Sequence, residues 1–517
     1  MLNKVGRDIP DELLQDGKEV FQGQYHRDQY EYRKASPVVK AYISPDSEKL
    51  VDSLREAIQM CGLKDGMTIS FHHHFRDGDY VVNMVMDEIA KLGIKDLYIC
   101  ASSLGSAHDP IVKYIEDGTI TGLSSSGLRG GIGEAISAGK LKNVAYIRSH
   151  GGRVRAIESG DIHIDVAFIG APTADAYGNA RGKGGKSDCG VLSYAMADAK
   201  YANKVVLVTD CLVPYPNFPA SIESIDVDYV VVVDEIGNPK KIANALLRFT
   251  QDPRELMIAE YAAMVVAKTP WFREGFSFQT GGGGPSLAVT RFLKPFMDEK
   301  NIKMSFAIGG ITKPLVDLLR DGYINCIVDA QDFDLASVES VNTNPRHFEI
   351  STSQYANPMN KGAFVNRLDY VILGALEVDT SFNVNVITGS DGVVRGAPGG
   401  HVDTAAGSKC CIIVAPLVRS RIPTVTDRVI TVTTPGESVD VVVTEYGVAV
   451  NPKRQDIMMA LKDSGLPLKT IEELRDEAYG LVGKPEEIQF EDQIVALVEY
   501  RDGTIIDVVR KPKPYQL

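Results

Sequence analysis

Short runs of β-branched residues recur along the chain, and stretches with helical periodicity separate them. In the first half these runs lie near Met67–Phe71, Leu97–Cys100, Val144–Ile147, Val166–Ile169, Val205–Val208 and Val230–Val233. In the second half they lie near Ile324–Val328, Tyr370–Leu373, Cys411–Val414 and Val439–Val443. The runs show no alternation of apolar and polar residues, which is typical of strands buried on both faces. This order of strands and helices predicts an α/β fold with mainly parallel sheets.

The chain is too long for one hydrophobic core. At 517 residues it exceeds the size at which a single core stops growing, so two or more domains are expected. The charged, tyrosine-rich segment 1–40 is interpreted as an extended arm that packs on another domain or subunit. A shift in composition near Pro239 separates a first domain, 41–240, from a second domain, 241–517.

Local patterns predict the elements at both ends of the second domain. Two helices are expected at about 239–249 and 252–267, and a helix-rich stretch at 453–479. Near the C-terminus, the apolar runs Ile494–Val498 and Ile505–Val509 flank an Asp-Gly pair. Two such runs about Asp-Gly predict a β-hairpin.

The two halves share a turn sequence, which indicates that they are diverged copies. Gly170-Ala171 and Gly374-Ala375 each follow a predicted strand, and each is followed by an Asp five residues after the Gly and an Asn nine residues after it. These residues are Asp175, Asn179, Asp379 and Asn383. Because Asx side chains hydrogen-bond to nearby backbone, we interpret all four as stabilising turns.

Composition and charge exclude several function classes. The formal net charge of −13 argues against non-specific nucleic-acid binding, although it leaves room for a local cationic pocket. No apolar run is long enough to span a membrane, and the segment Met1–Gln24 lacks the apolar core of a secretory signal. The seven scattered cysteines are typical of reduced thiols, so a cytoplasmic protein is expected.

Two loops rich in glycine and proline lie in the second half. Phe276–Val289 predicts a strand, a turn of four glycines and a helix that begins near Pro285. Gly396–Asp403 is the second loop. Glycines let the backbone approach a ligand closely, and the start of a helix presents unpaired N–H groups to an anion. Taken alone, such a loop is either a tight turn or a phosphate or oxyanion site.

The paired Gly-Ala turns, the loop Gly281–Pro285 and the segment Gly399–Asp403 together resemble the CoA-transferase superfamily. More narrowly, the chain resembles the citrate lyase alpha subunit family. The segments that carry this narrower resemblance are Phe71–Arg76, Ser125–Gly131, Ser149–Arg153, Ala171–Ala180 and Gly396–Arg421. The resemblance implies two CoA-transferase-type α/β domains with mainly parallel sheets, related by apparent duplication, and an active site between them.

The resemblance also implies a reaction and its partners. Members of this family exchange the acetyl group of an acetyl thioester for citrate, which gives a citryl thioester and acetate. The thioester is carried by a gamma subunit, the acyl carrier protein, on a CoA-derived phosphopantetheine-type group, and acetyl-CoA can replace it. A beta subunit then cleaves the citryl thioester to oxaloacetate. No covalently bound cofactor is expected in this chain, which would be a homo-oligomer within the complex.

Exchange of a thioester for a carboxylate requires hydrogen-bond donors for a tetrahedral oxyanion, and main-chain N–H groups in glycine loops suit this task. We assign it to Gly283 and Gly400. The remaining loop residues are expected to hold CoA or the prosthetic group, namely Gly281, Gly282, Gly284, Gly399 and His401.

Related transferases that form a covalent intermediate carry a nucleophilic Glu after the strand that follows the glycine loop. The matching segment here is 307–310, Ala-Ile-Gly-Gly, which contains no Glu. This difference favours direct attack by citrate in a ternary complex. Glu377, in the Gly374–Asp379 turn, is the alternative nucleophile.

Citrate is a trianion, so its pocket is expected to contain Arg and His side chains. The candidates follow predicted strands or glycine turns and are His73, His74, Arg76, Arg129, His150 and Arg153. Strand alternation puts His72 and His74 on the side opposite His73. Adjacent histidines on a strand chelate poorly, so no metal site is predicted there or elsewhere.

Two other functions are compatible with the same sequence. One is another enzyme on the same fold, either an acetyl-CoA hydrolase or a monocarboxylate CoA-transferase. The missing Glu and the abundance of His and Arg in the first half argue against it. The other is a non-catalytic anion-binding or sensor subunit, or a scaffold that acts through its arm.

Overall fold

The structure is a computed structural model, and it describes residues 1–15, 17–27, 34–37, 47–243 and 250–514. Two sheets organise it, one for each half of the chain, and helices cover them. The α-helices of the first half are Leu54–Met60, Val81–Lys91, Val112–Glu116, Gly130–Ser137, His150–Ser159 and Ala195–Tyr201. Those of the second half are Pro253–Lys268, Gly284–Lys300, Lys313–Arg320, Leu335–Thr343, Thr352–Ala356, His401–Gly407, Gln455–Leu461 and Ile471–Val482.

The first sheet has ten strands, and its strands are parallel except for the last pair. In spatial order they are Leu50–Val51, Tyr229–Val232, Lys204–Thr209, Val166–Ala171, Thr68–Phe71, Leu97–Ala101, Ile120–Ser125, Ala145–Arg148, Phe490–Glu499 and Ile505–Pro512. At its centre Ile69 lies opposite Ile99 on one side and Val166 on the other. These β-branched residues are fully buried, as expected for a sheet covered on both faces.

The second sheet has nine strands, and only one neighbouring pair, Val441–Thr444 with Gly447–Val450, is antiparallel. In spatial order the strands are His347–Glu349, Ile324–Asp332, Met304–Ile311, Phe276–Thr280, Tyr370–Leu373, Cys410–Val414, Val441–Thr444, Gly447–Val450 and Leu468–Lys469. Along Cys410–Val414, residues 410, 412 and 414 pack into one core and residues 411 and 413 into another on the opposite face. The predicted α/β class with mainly parallel sheets is confirmed.

The two halves have the same topology. Seven strands correspond, and when each set is numbered along the chain, both sheets have the spatial order 7-6-5-1-2-3-4. The shared turns also match. Asp175 Oδ1 accepts hydrogen bonds from the N–H groups of Tyr177 and Asn179, and Asp379 Oδ1 accepts them from Ser381 and Asn383. The duplication and the structural role of these Asx residues are therefore confirmed.

Shorter strands extend the turns. Thr173–Ala174 pairs with Ala180–Arg181 in the first half. In the second half, Glu377–Asp379 lies between Val384–Asn385 and Val425–Thr426. A further pair is Val418–Arg419 with Ile422–Pro423. These ribbons project from the carboxyl ends of the strands and shape the region between the halves.

The C-terminal hairpin lies in the first sheet, although the sequence boundary places it with residues 241–517. Phe490–Glu499 pairs with Ile505–Pro512 as predicted, but it also runs parallel to Ala145–Arg148. Arg148 donates two 2.9 Å hydrogen bonds to Glu499, which fixes this pairing across the chain. The partners are too far apart in sequence for a local pattern to show it.

The described part of the N-terminal arm packs on this hairpin. The N–H of Phe21 donates to the carbonyl of Ile505, and Arg7 forms an ion pair with Asp507 at 3.1 Å.

At the domain junction, Pro253–Lys268 matches the helix predicted over 252–267, whereas Pro239–Lys241 forms a single 3₁₀ turn. Part of the helix predicted over 239–249 lies outside the described residues. In the described chain, no helix combines the length and apolar character needed to cross a membrane.

Candidate active site

A cavity of about 230 Å³ lies between the two halves, and residues from both line it. The first half contributes His73, Arg76, Arg129, His150 and Tyr194. The second half contributes Gln279, Gly281, Gly282, Gly309, Gly310, Gln331, Phe333, Tyr355, Gly399, Gly400 and His401. Many of these residues lie in loops or strand ends at the carboxyl edges of the two sheets, where α/β folds bind ligands.

Two imidazoles face the cavity and are neutral at physiological pH. His73 Nδ1 lies 2.6 Å from Ser102 Oγ, and His150 Nδ1 lies 2.8 Å from Ser126 Oγ. The rings stack with centroids 5.7 Å apart. Burial lowers the pKa of His73 well below its usual range, and it lowers the pKa of His150 to about 3.

The hydrogen-bond network assigns the tautomer of His150 and is compatible with an Nε2–H tautomer of His73. Ser126 Oγ donates to the carbonyl oxygen of Ser102, so it accepts from His150 Nδ1–H and leaves His150 Nε2 as a bare acceptor. Ser102 Oγ accepts from the main-chain N–H of His73 at 3.1 Å. When Ser102 Oγ donates its own proton to His73 Nδ1, Nε2–H of His73 is left as a donor. In that arrangement the cavity offers one imidazole donor and one imidazole acceptor.

Arg76 and Arg129 bring two positive charges to the cavity without ion-pair partners among the described residues. Arg76 is half-buried, its guanidinium carbon lies 4.5 Å from the centre of the Phe333 ring, and its Nη1 has no hydrogen-bond partner in the described chain. Desolvation and the charge of Arg129 lower the pKa of Arg76 to about 10. Arg129 is open to solvent within the cavity, yet the surrounding protein also lowers its pKa. Two unpaired like charges predict an anionic ligand.

The glycine loops provide main-chain donors, but not all at the predicted positions. Gly281 N–H donates to the carbonyl of Ile372 at 2.7 Å, so it is not free. The N–H groups of Gly282 and Gly400 have no acceptor in the described part of the chain, and both residues line the cavity. Gly283 is the N-cap of the helix Gly284–Lys300, and neither Gly283 nor Gly284 lines the cavity. The structure therefore favours Gly282 rather than Gly283 as the partner of Gly400.

The second glycine loop interlocks with the first half. Gly399 has φ +51°, accepts a 2.8 Å hydrogen bond from His150 N–H and donates to the carbonyl of Ser126. Asp403 accepts hydrogen bonds from Gly151 N–H at 2.9 Å and from Ser149 Oγ at 3.0 Å. Two segments that carry the family resemblance, 149–153 and 396–421, thus form one structure across the halves.

His401 is fixed within this loop. Its Nδ1 lies 2.8 Å from Thr434 Oγ1, and its Nε2 lies 3.0 Å from the carbonyl oxygen of Gly374. Burial lowers the pKa of His401 to about 4, so the ring is neutral. Both ring nitrogens are occupied, which leaves His401 to position the loop at the cavity edge.

Besides Gly283 and Gly284, three predicted site residues lie outside this cavity, namely His74, Arg153 and Glu377. His74 stacks on His72, with centroids 5.7 Å apart, on the side of the strand opposite His73. Arg153 donates to both carboxylate oxygens of Asp198, at 2.9 and 2.6 Å, so its charge is already paired. His74 and Arg153 were therefore wrongly predicted to line the cavity. Strand alternation turns His74 away from it, and the ion pair with Asp198 holds Arg153 elsewhere.

Glu377, the alternative nucleophile, lies outside this cavity. It accepts hydrogen bonds from Asn385 Nδ2 at 2.8 Å and from Ile430 N–H at 3.0 Å. It lines a different, larger cavity of about 650 Å³ whose walls carry cations and carboxylates together. The smaller cavity is the better candidate, because it contains the glycine loops and the unpaired Arg76 and Arg129.

The position where related enzymes carry a nucleophilic Glu is closely packed by neighbouring side chains. A Cβ on Gly309, where φ is +100°, would lie 2.6 Å from Gln279, and a Cβ on Gly310 would lie 2.4 Å from the Phe333 ring. Both glycines line the cavity. An acidic side chain at either position would overlap these neighbours.

Sequence reasoning missed several residues of the cavity wall, among them Tyr194, Gln279, Gln331, Phe333 and Tyr355. Tyr194 packs its ring 4.8 Å from His73 and donates its hydroxyl to Gln331 Oε1 at 3.2 Å. Gln331 Nε2 donates to the carbonyl of His73 at 3.2 Å. The available signal was position, because Gln279 and Gln331 each lie one residue before the carboxyl end of a strand, where α/β folds bind ligands.

Comparison with known proteins identifies the family. Residues 47–512 match the family model described as citrate lyase, alpha subunit. The citrate lyase alpha chain of Haemophilus influenzae is 53% identical over 489 residues, covering 95% of this chain and 98% of the relative. That of Klebsiella pneumoniae is 54% identical over 478 residues, covering 92% and 94%.

A solved structure agrees over nearly the whole chain. A crystal structure from Streptococcus mutans, described as the alpha subunit of citrate lyase in complex with citrate, superposes with a TM-score of 0.96. Its sequence is 56% identical, and the match covers 99% of this chain and 100% of that one. On this evidence, together with the two-domain fold and the cavity between its halves, the chain belongs to the citrate lyase alpha subunit family.

Proposed function

We propose that the chain exchanges the acetyl group of an acetyl thioester for citrate in the cavity between its halves. The observation that carries this proposal is the pair of guanidinium groups, Arg76 and Arg129, which face one cavity and form no ion pair with a carboxylate of the described chain. The carboxylate of Asp77 acts on both only from beyond ion-pair distance. Citrate, with three carboxylates, supplies the missing negative charge. The citrate named in the Streptococcus mutans complex supports this assignment.

The chemistry proceeds by two acyl transfers without a change in the enzyme's covalent structure. A citrate carboxylate oxygen attacks the acetyl carbonyl carbon, the tetrahedral oxyanion collapses, and the C–S bond breaks to give a thiolate and a mixed anhydride. The thiolate then attacks the citryl carbonyl, and acetate leaves. The N–H groups of Gly282 and Gly400 are placed to stabilise the oxyanion, because they line the cavity and have no other acceptor in the described chain.

The glycines at 309 and 310 support direct attack by citrate. An acidic side chain there would displace the side chain of Gln279 or Phe333, each of which occupies the space that a Cβ would need. The reaction therefore requires citrate and thioester to bind together. Binding beside the thioester gives the citrate carboxylate a high effective concentration, as a covalently attached nucleophile would have.

The two neutral imidazoles can add hydrogen bonds to the ion pairs that the arginines form with citrate. His73 Nε2–H is a donor for a carboxylate, and His150 Nε2 is an acceptor for a hydroxyl group. Citrate has both groups on its central carbon. A monocarboxylate such as acetate has neither the hydroxyl nor the additional charges, so this arrangement favours citrate over the substrates of other transferases on this fold.

An alpha chain of citrate lyase works with other subunits, and we propose the specific ones for this chain. The donor is acetyl-CoA or the CoA-derived group of an acyl carrier (gamma) subunit, and the product passes to a beta subunit that cleaves it. In this proposal the complex is cytoplasmic and contains several copies of the chain. Residues Gly281, Gly282 and Gly399 line the cavity near the expected thioester position.

The test is to incubate the isolated chain with acetyl-CoA and citrate and to analyse the products by mass spectrometry. The proposal expects citryl-CoA and acetate in equal amounts. Free CoA with acetate and no citryl-CoA would indicate a hydrolase, and citrate binding without any product would indicate a sensor subunit. Replacing Arg129 by methionine should raise the citrate KM at least tenfold, whereas replacing the exposed Arg291 should leave it unchanged.

A further inference from the structure

A second cluster of chemistry-bearing side chains lies behind the cavity wall. Asp329 and Asp332 lie near the end of the strand Ile324–Asp332, and His347 begins the neighbouring strand. One ligating atom from each residue lies within 4.8 Å of those of the other two. All three side chains are buried.

The cluster contains a carboxylate without partners. Asp332 is 1% exposed, and neither of its carboxylate oxygens has a hydrogen-bond partner in the described chain. Asp329 uses Oδ1 to accept the N–H of Gln331 at 2.7 Å, while its Oδ2 lies 3.0 Å from His347 Nε2. No Lys or Arg of the described segments forms an ion pair with either aspartate.

Two ionised carboxylates in this arrangement would leave negative charge uncompensated in the interior. Burying an ionised carboxylate without a counter-charge costs several kcal/mol, so such groups are paired, protonated or bound to a cation. One imidazole carries at most a single positive charge, so His347 does not balance two carboxylates. A neutral imidazole beside two carboxylates is a ligand set for a metal ion.

We propose that Asp329, Asp332 and His347 bind one divalent transition-metal cation, with zinc as the best match. Zinc takes both imidazole nitrogen and carboxylate oxygen at about 2.0–2.2 Å, whereas magnesium and calcium prefer oxygen alone. His347 is oriented as a ligand, because Nδ1 lies 3.0 Å from Ser340 Oγ and leaves Nε2 facing the carboxylates. Such a hydroxyl partner fixes the tautomer and ring orientation.

The site would couple the two halves. Gly190 of the first half, with φ +83°, packs so closely that an added Cβ would lie 1.8 Å from Asp332 Oδ2. Asp332 also lies between Gln331 and Phe333, which line the active-site cavity. A cation at this position therefore holds the cavity wall without touching the substrate, which makes its role structural.

The amount of zinc bound per chain tests the proposal directly. Wild-type protein, Asp332→Asn and His347→Gln are loaded with zinc chloride, dialysed and analysed by elemental mass spectrometry. Asp317→Asn, an exposed carboxylate paired with Lys313, is the control for charge alone. We expect one zinc per chain more in the wild type and the control than in the two cluster variants, and a wild-type Tm that falls by about 2 °C or more on chelation.

Anomalous diffraction at the zinc edge decides the case even if a cluster variant fails to fold. A peak within about 2.2 Å of the three ligand atoms in wild-type crystals supports the proposal. Parallel loading with manganese and magnesium chlorides gives the metal preference, and retention of magnesium alone would overturn it. Equal zinc in all four proteins, or no peak at the cluster, would also overturn it and would indicate that the two aspartates share a proton.

Discussion

Replacing Gly400 by alanine tests whether the main-chain N–H of Gly400 stabilises the oxyanion. Gly400 has φ −93° and ψ 7°, a conformation that alanine can adopt, so backbone preference is not the obstacle. The obstacle is Tyr355, whose hydroxyl oxygen lies 2.5 Å from the position of the added Cβ. Gln279 holds that hydroxyl through a 2.9 Å hydrogen bond, so either the loop or the tyrosine must move.

The size of the effect follows from that overlap. Ordinary contact begins at 3.4 Å, so the two groups must separate by roughly 1 Å, and a misplacement of about 1 Å costs about 10²-fold in rate. This equals about 2.7 kcal/mol in the barrier, a typical value for loss of one oxyanion donor. We expect kcat to fall about 100-fold, with the citrate KM within about twofold because the guanidinium groups stay in place.

The assay is the steady-state formation of citryl-CoA from acetyl-CoA and citrate, with Tm measured on the same samples. Gly283→Ala is the matched control, because nothing lies within 4 Å of its added Cβ and it does not line the cavity. Adding Tyr355→Phe to Gly400→Ala removes the overlapping oxygen and should restore about tenfold of the rate. Equal losses in the two glycine variants, or a rate loss matched by a loss of Tm, would refute the reasoning.

Three further predictions follow from the same geometry. His150→Phe should remove the preference for citrate over tricarballylate, which lacks the hydroxyl, and a retained preference in competition kinetics would argue against His150 as the acceptor. Initial-rate kinetics should be sequential, and no acyl-enzyme should be trapped by borohydride; ping-pong kinetics would contradict direct attack. Because the pKa of His150 is lowered to about 3, stability present above the unfolded pKa of about 6.5 should be lost progressively as the pH falls below it. The His150→Gln variant should lose less stability at low pH, which a plot of Tm against pH measures. A profile identical to that of the wild type would show that His150 does not cause the loss.

Much of the fold could be predicted because its signals are local. Buried parallel strands give apolar runs, and the duplicated turns give the same spacing twice, so Asp175 and Asp379 could be assigned as turn residues before the structure was known. Strand alternation likewise separated His73 from His72 and His74. The glycine loops could be recognised as candidate binding loops, although their free N–H groups could not be assigned to individual residues.

The remainder depends on contacts between distant parts of the chain. The C-terminal hairpin joins the first sheet through partners such as Arg148 and Glu499, which are 351 residues apart. Arg153 resembles a ligand-binding cation in sequence, yet Asp198 neutralises it in the interior. Gln279 and Tyr355 form cavity walls because two sheets meet, and no spacing in the linear sequence indicates such a meeting.

The most direct test of the central claim is a crystal structure of the chain with citrate and an acetyl-CoA analogue in which methylene replaces the thioester sulfur. The account predicts the analogue's carbonyl oxygen within about 2.7–3.1 Å of Gly282 N and Gly400 N, with citrate carboxylates on Arg76 and Arg129. A carbonyl oxygen bound away from both amides, or citrate held without either guanidinium, would contradict it.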